Sequence, residues 1–111
     1  MKDQRKFVRK SLHCMVSVFN EEGKSMGNMV DYSDGGIMVA SYQMIEVGHI
    51  YDFAMVDLPN NIGRKRTGRI TVKSVWSDRY SSSMFGTGFE LIESDDQAKT
   101  MFASYDEENN S

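Results

Sequence analysis

Residues 26–40, Met26-Gly27-Asn28-Met29-Val30-Asp31-Tyr32-Ser33-Asp34-Gly35-Gly36-Ile37-Met38-Val39-Ala40, decide the fold. Two apolar-rich stretches, Met26 to Tyr32 and Ile37 to Ala40, flank Ser33-Asp34-Gly35-Gly36, a run of short polar residues and glycine that suits a tight connection. The segment therefore reads as strand, turn and short strand, the last with the β-branched and Met-rich composition a pleated surface accepts. Upstream, the even positions Leu12, Cys14, Val16 and Val18 are apolar, whereas His13, Met15, Ser17 and Phe19 are mixed. That period of two predicts a strand over Leu12–Phe19, closed by the turn Asn20-Glu21-Glu22-Gly23-Lys24.

Downstream, Ile50 to Leu58 predicts a fourth strand, bounded by Gly48 and by Pro59-Asn60-Asn61-Ile62-Gly63, where the one proline and a glycine mark a hairpin loop. A long fifth strand is expected across Arg64–Trp76, with Ile70, Val72 and Trp76 sharing one face. The sixth is Phe85 to Ile92, with Phe85, Phe89 and Leu91 on one side and Gly86 and Gly88 on the other. Six short strands without a long helical pattern between them give an antiparallel barrel or sandwich, not a parallel α/β fold. One helix is expected, Asp95 to Tyr105: Ser94 can cap it, acids favour its first turn, and Ala98, Met101, Phe102 and Tyr105 recur at helical spacing. It is expected to close one end of the barrel, and the acidic segment Asp106–Ser111 is read as a disordered tail.

The chain has 111 residues, 40% hydrophobic and 26% charged, enough apolar surface for one ordered domain and too short for two. No apolar run approaches a bilayer span and the N-terminus lacks a secretory apolar region, so no membrane insertion and a cytoplasmic location are expected. One cysteine, Cys14, and two histidines, His13 and His49, leave no set for a zinc site, and no metal or cofactor is expected. Asp31 and Asp34 are too few carboxylates for a calcium loop. Ser33 lies in no G-x-S-x-G elbow and neither histidine is spaced as a base, so the chain is not read as an enzyme. The nine methionines suit core and interface packing.

Charge is distributed unevenly beneath the net −3. Residues 1–10 carry five basic groups and one acid, residues 93–111 six acids and one lysine, and Arg64–Arg79 six basic groups and one aspartate. The two basic segments are candidates for a joint anion-attracting surface. Arg5 and Arg9 supply guanidinium forks that match phosphate and the O6 and N7 edge of guanine. Phe7, between them, can anchor an otherwise mobile arm. Asp31, Ser33 and the Gly35-Gly36 pair place a carboxylate, a hydroxyl and bare backbone at the end of a strand, a combination able to hold a planar polar ligand.

These residues carry a resemblance. Arg5-Lys6-Phe7-Val8-Arg9 resembles the R-x-x-x-R arm, and Asp31-Tyr32-Ser33-Asp34-Gly35-Gly36 the [D/N]-x-S-x-x-G turn, of PilZ domains, in the family's order. Val75-Trp76, Gly86-Thr87-Gly88-Phe89-Glu90-Leu91 and the acid-capped helix from Ser94 are similar to the family's later elements, so the likeness covers nearly the whole chain. It implies an all-β fold, a six-stranded antiparallel barrel with a C-terminal helix. The division would be a flexible basic arm at 1–10, the barrel and helix at 11–105 and the tail at 106–111. It also implies a receptor for cyclic di-GMP: Arg5 and Arg9 would contact its phosphates and guanine edges, Asp31, Ser33 and Gly36 would hold a guanine, and Gly35 would shape the turn. Trp76 would border the ligand and stack on a base, or else be a core indole. Family members often carry a further arginine just before the arm, and Gln4 stands there instead, which leaves the number of nucleotides bound open.

The function expected is an adaptor that changes its surface on binding nucleotide and so regulates a downstream protein partner in motility, biofilm or polysaccharide output. The alternatives are a PilZ-like adaptor that binds protein without nucleotide, and a small barrel that binds single-stranded RNA through Arg64–Arg79, which an excess of acids disfavours, so no DNA or RNA is expected. Met15 and Phe19, on the mixed face of the first strand, offer a homodimer contact.

Overall fold

The computed structural model describes residues 10–59 and 63–110. Its elements are β1 (Lys10–Phe19), β2 (Ser25–Ser33), β3 (Gly36–Ser41), β4 (Ile50–Asp57), β5 (Arg66–Arg79), β6 (Phe85–Ser94) and α1 (Asp96–Asn110). All neighbours pair antiparallel, and the sheet closes as a barrel in the order β1-β2-β3-β6-β5-β4. The six-stranded antiparallel barrel with a C-terminal helix is thus the fold, the sheet closing on itself where β1 meets β4.

Alternation along each strand fills the interior. Val16, Val18, Met29, Tyr32, Ile37, Val39, Phe53, Met55, Ile70, Val72 and Phe89 are all 4% exposed or less. The Phe53 ring stacks on Tyr51 at 5.4 Å and meets Phe89 edge-on at 5.3 Å, joining β4 to β6 across the core. Burial of each such side chain contributes roughly 1.5–3 kcal/mol against leaving it in water.

The two mouths are sealed differently. The connection from β3 to β4, residues 42–49, crosses one mouth, because those strands are not neighbours in the barrel. Ile45 drops into the core there, and the buried Ser74 hydroxyl donates to the Glu46 carbonyl at 2.6 Å, pinning the crossover to β5. Helix α1 closes the other mouth with Ala98, Met101 and Tyr105. It lies against bare backbone at Gly68, where a Cβ would come within 2.6–2.8 Å of Ala98.

A buried charge fastens this second closure. Asp57, 2% exposed at the end of β4, accepts two hydrogen bonds from Arg66 of β5, at 3.0 Å from Nε and 2.8 Å from Nη2. The Tyr105 hydroxyl of α1 donates to the same carboxylate at 2.6 Å. Burial, and then this hydrogen bond, push the Tyr105 hydroxyl well above the usual phenol range, so it remains a donor. The Asp57 hydrogen bond likewise raises Arg66.

The helix differs from the sequence reading at both ends. Asp95, not Ser94, is the cap: its Oδ1 accepts the Ala98 N–H at 2.8 Å, while its own N–H donates to the Arg69 carbonyl at 2.9 Å. The Ala98 amide is the chief reason the Asp95 carboxyl sits below its ordinary range. Residues 106–110, read as tail, continue the helix to Asn110. An acidic C-terminal turn opposes the helix dipole, but Tyr32 donates to Asp106 Oδ1 at 2.9 Å and holds that turn to β2. Residues 1–9 and Ser111 lie outside the described residues, and Lys10, placed in the arm by the sequence, already belongs to β1.

Replacing Arg66 with methionine is expected to lower unfolding stability by about 3–5 kcal/mol in urea titration, since Asp57 would stay buried without its counter-charge. Asp95→Ala should cost about 1 kcal/mol at pH 7. Because the folded Asp95 pKa is depressed, this difference is present above the ordinary aspartate pKa of about 3.9 and shrinks as pH falls through the folded value. Equal stability of wild type and Asp95→Ala at neutral pH would refute the cap.

Candidate functional site

The turn from β2 to β3 is built for close approach. Ser33 pairs with Gly36, so the loop itself is Asp34 and Gly35, and the Gly35 N–H reaches the Ser33 hydroxyl at 3.3 Å. Neither glycine has a positive φ, so the pair is not there to turn the chain left-handed. Gly36 is needed for another reason. It faces Glu90 of β6, and a Cβ on it would overlap the Phe89 carbonyl oxygen. The Leu91 N–H then donates to the Gly35 carbonyl at 2.9 Å, tying the turn to β6.

From this turn a row of residues runs across the outside of four strands. Asp31 of β2 pairs with Met38 of β3, Met38 with Gly88 of β6, and Gly88 with Trp76 of β5. Asp31 stands outward because its neighbour Tyr32 is buried, and Met38 because Ile37 and Val39 are. The Trp76 indole lies on Gly88, where a Cβ would overlap the ring. Ser33, two residues from Asp31, begins the next row, Ser33–Gly36–Glu90–Lys73. A carboxylate, a hydroxyl, a flexible thioether and an indole therefore share one outward face.

Trp76 corrects the sequence reading, which set it on the face of Ile70 and Val72. Those two are core, whereas Trp76 is 38% exposed. The cause is a register shift between Ser74 and Trp76: Ser74 pairs with Phe89 and Trp76 with Gly88, leaving Val75 as an extra residue. Such a bulge flips the outward phase of everything after it.

Of the basic residues expected to converge, Arg5 and Arg9 lie outside the described residues. The chain enters the barrel beside the turn, since Lys10 pairs with Tyr32 and Ser11 with Asp31. In the second basic segment Arg66 is engaged by Asp57, while Arg69 and Lys73 are exposed. His49 is exposed and contacts Glu46 at 2.9 Å, away from the turn.

A profile of the PilZ domain matches residues 3–105. The chain belongs to the PilZ domain family. Among solved structures, this PilZ domain is similar to the Bacillus subtilis inhibitor of motility (MotI/DgrA), with a TM-score of 0.63 and 16% identity, over 94% of this chain and 50% of that one. The chain thus spans about half of that protein's length, and the likeness is one of fold. Comparison with curated proteins gives no match. Among the described residues no helix is long and apolar enough to cross a membrane.

Within the PilZ barrel, Asp31, Ser33, Gly36 and Trp76 fall on one face, Trp76 at the far end of the row, and Gly35 lies in the turn between β2 and β3. Sequence reading passed over Met38 and the part played by Gly88. Alternation from Gly36 marks Met38 as outward, but only the register shows Gly88 to be the bare floor beneath the indole. Gly88→Ala is expected to lift that ring: the emission of Trp76, the one tryptophan, should move to longer wavelength with far-ultraviolet dichroism unchanged. An unshifted spectrum would contradict the packing of Trp76 on Gly88.

Proposed function

We propose that this PilZ domain is a receptor for cyclic di-GMP, the ligand of its family, and acts by presenting an altered surface to a protein partner, without catalysis. The observation that supports it most is the outward grouping of Asp31 and Ser33 beside the point where the basic N-terminal segment joins β1 at Lys10. Arg9 directly precedes that point in the sequence.

The division of labour follows from the chemistry. The Asp31 carboxylate accepts from the N1–H and amino group of a guanine edge, and the Ser33 hydroxyl donates or accepts beside it. The row of Met38, Gly88 and Trp76 continues from Asp31, and the exposed indole offers a surface on which a purine stacks. Arg5 and Arg9 neutralise the two phosphates through charge-assisted, forked hydrogen bonds. Five basic groups in residues 1–10 repel one another without a counter-anion, so a dianionic ligand draws the segment onto the barrel and changes what this face offers a partner.

Titration calorimetry with cyclic di-GMP tests the reading. Wild type should bind, and Arg9→Ala should lose at least ~2–3 kcal/mol, roughly fifty-fold or more in affinity. Asp31→Ala should weaken binding while the free protein keeps the circular dichroism spectrum of wild type. No heat of binding to wild type at saturating nucleotide would favour an adaptor that recognises protein alone.

A further inference from the structure

The row from Asp31 to Trp76 offers one aromatic surface, yet a cyclic dinucleotide carries two purines. Both bases are held on one compact ring, so a surface for the second must lie close to the first and on the same outward face. Strand β6 is bare at two successive outward positions, Gly86 and Gly88, which the rise of a strand sets about 6.6–6.8 Å apart. Trp76 covers Gly88. Gly86 is covered by two other side chains: a Cβ there would meet the Met38 methyl at 2.5 Å and the Cβ and Cδ1 of Tyr80 at 3.5 Å. Met38 pairs with Gly88, so its thioether leans along the face from its own rung to the next.

On β5 the outward positions after the bulge are Trp76 and Asp78, and Tyr80 follows at the same period just past the end of the strand. All three are exposed, Tyr80 by 50%. Asp78 pairs with Gly86. The Tyr80 ring is not needed to close the β5–β6 hairpin, because the main chain does so: the Tyr80 and Ser81 N–H groups donate to the Met84 carbonyl at 2.9 and 3.1 Å. A carboxylate, an aromatic ring and bare backbone therefore meet at Gly86, the same three elements that Asp31, Trp76 and Gly88 bring to the neighbouring row. That combination suits guanine. A carboxylate accepts from its N1–H and amino group, where adenine presents an acceptor at N1, and the aromatic ring takes the flat face of the base.

We propose that the backbone at Gly86 is the floor of a second base subsite. Tyr80 stacks on the second guanine of cyclic di-GMP, Asp78 accepts from its edge, and the Met38 thioether, whose methyl covers Gly86 in the free protein, shifts to admit it. Methionine suits that position because its unbranched, flexible chain repacks readily. The assignment rests on cyclic di-GMP being the ligand of this face and adds which residues hold its second base.

Nuclear Overhauser contacts between the isotopically labelled chain and unlabelled cyclic di-GMP read the two bases separately, since an asymmetric site makes their H8 protons inequivalent. One H8 should contact the Trp76 indole and the other the Tyr80 ring. In calorimetry Tyr80→Ala should weaken binding about tenfold or more, the loss of one base–aromatic stack. Tyr80→Phe should bind as wild type does, and Asp78→Ala should bind severalfold more weakly, each variant with the circular dichroism spectrum of wild type. If wild type binds but Tyr80→Ala binds equally well, or neither H8 contacts Tyr80, the second subsite is overturned while the receptor reading stands. A wild type that binds no cyclic di-GMP overturns both.

Discussion

The pairing of β3 with β6 is the constraint on which the remainder rests. Their residues, 36–41 and 85–94, are far apart in sequence, and the pairing forms only if the backbones meet without obstruction at Gly36. No Cβ fits between Gly36 and the Phe89 carbonyl. With that seam in place, β2 and β5 lie on either side of it. A carboxylate on one and an indole on the other then share a surface, although forty-five positions separate Asp31 from Trp76. Glycine is the means at both ends: Gly36 admits β6, and Gly88 leaves room for the Trp76 ring to pack against its backbone.

Helix α1 and the buried Asp57 perform the complementary task of holding the strand ends that carry the turn. Asp57 joins β4, β5 and α1 through Arg66 and Tyr105, and Tyr105 in turn packs on Tyr32 with ring centroids 5.7 Å apart. Tyr32 stands between Asp31 and Ser33 in sequence but faces inward, and its hydroxyl holds Asp106. The outward pair of the turn is therefore backed by a residue clamped to the helix. A rigid support of this kind is what fixes the spacing of two side chains on adjacent outward positions.

Much of the fold is legible in the sequence because its signals are local. The alternation of Leu12, Cys14, Val16 and Val18, the turn at Asn20–Lys24 and the Pro59–Gly63 loop each announce an element without reference to another. What escaped was set by partners distant in the chain. The extra residue Val75 is apolar like its neighbours, so its bulge, and with it the outward face of Trp76, depends on the register with β6. The choice of Asp95 over Ser94 as cap depends on where Arg69 presents a carbonyl. The helix runs past Tyr105 because of Tyr32, more than seventy positions away. The candidate site was legible as a motif of residue types, Asp31, Ser33 and Gly36, whereas Met38 and Gly88 join it through pairing alone.

The face read by Asp31, Ser33, Gly88 and Trp76 can be watched residue by residue. Amide and indole resonances of the isotopically labelled chain, followed by two-dimensional nuclear magnetic resonance during addition of cyclic di-GMP, report where the nucleotide sits. Saturable shifts should appear at Asp31, at Ser33 through Gly36, at Gly88 and at the Trp76 indole N–H, with the crossover at 42–49 unmoved. A spectrum unchanged at saturating nucleotide, or shifts confined to the crossover, would contradict the assignment of that face.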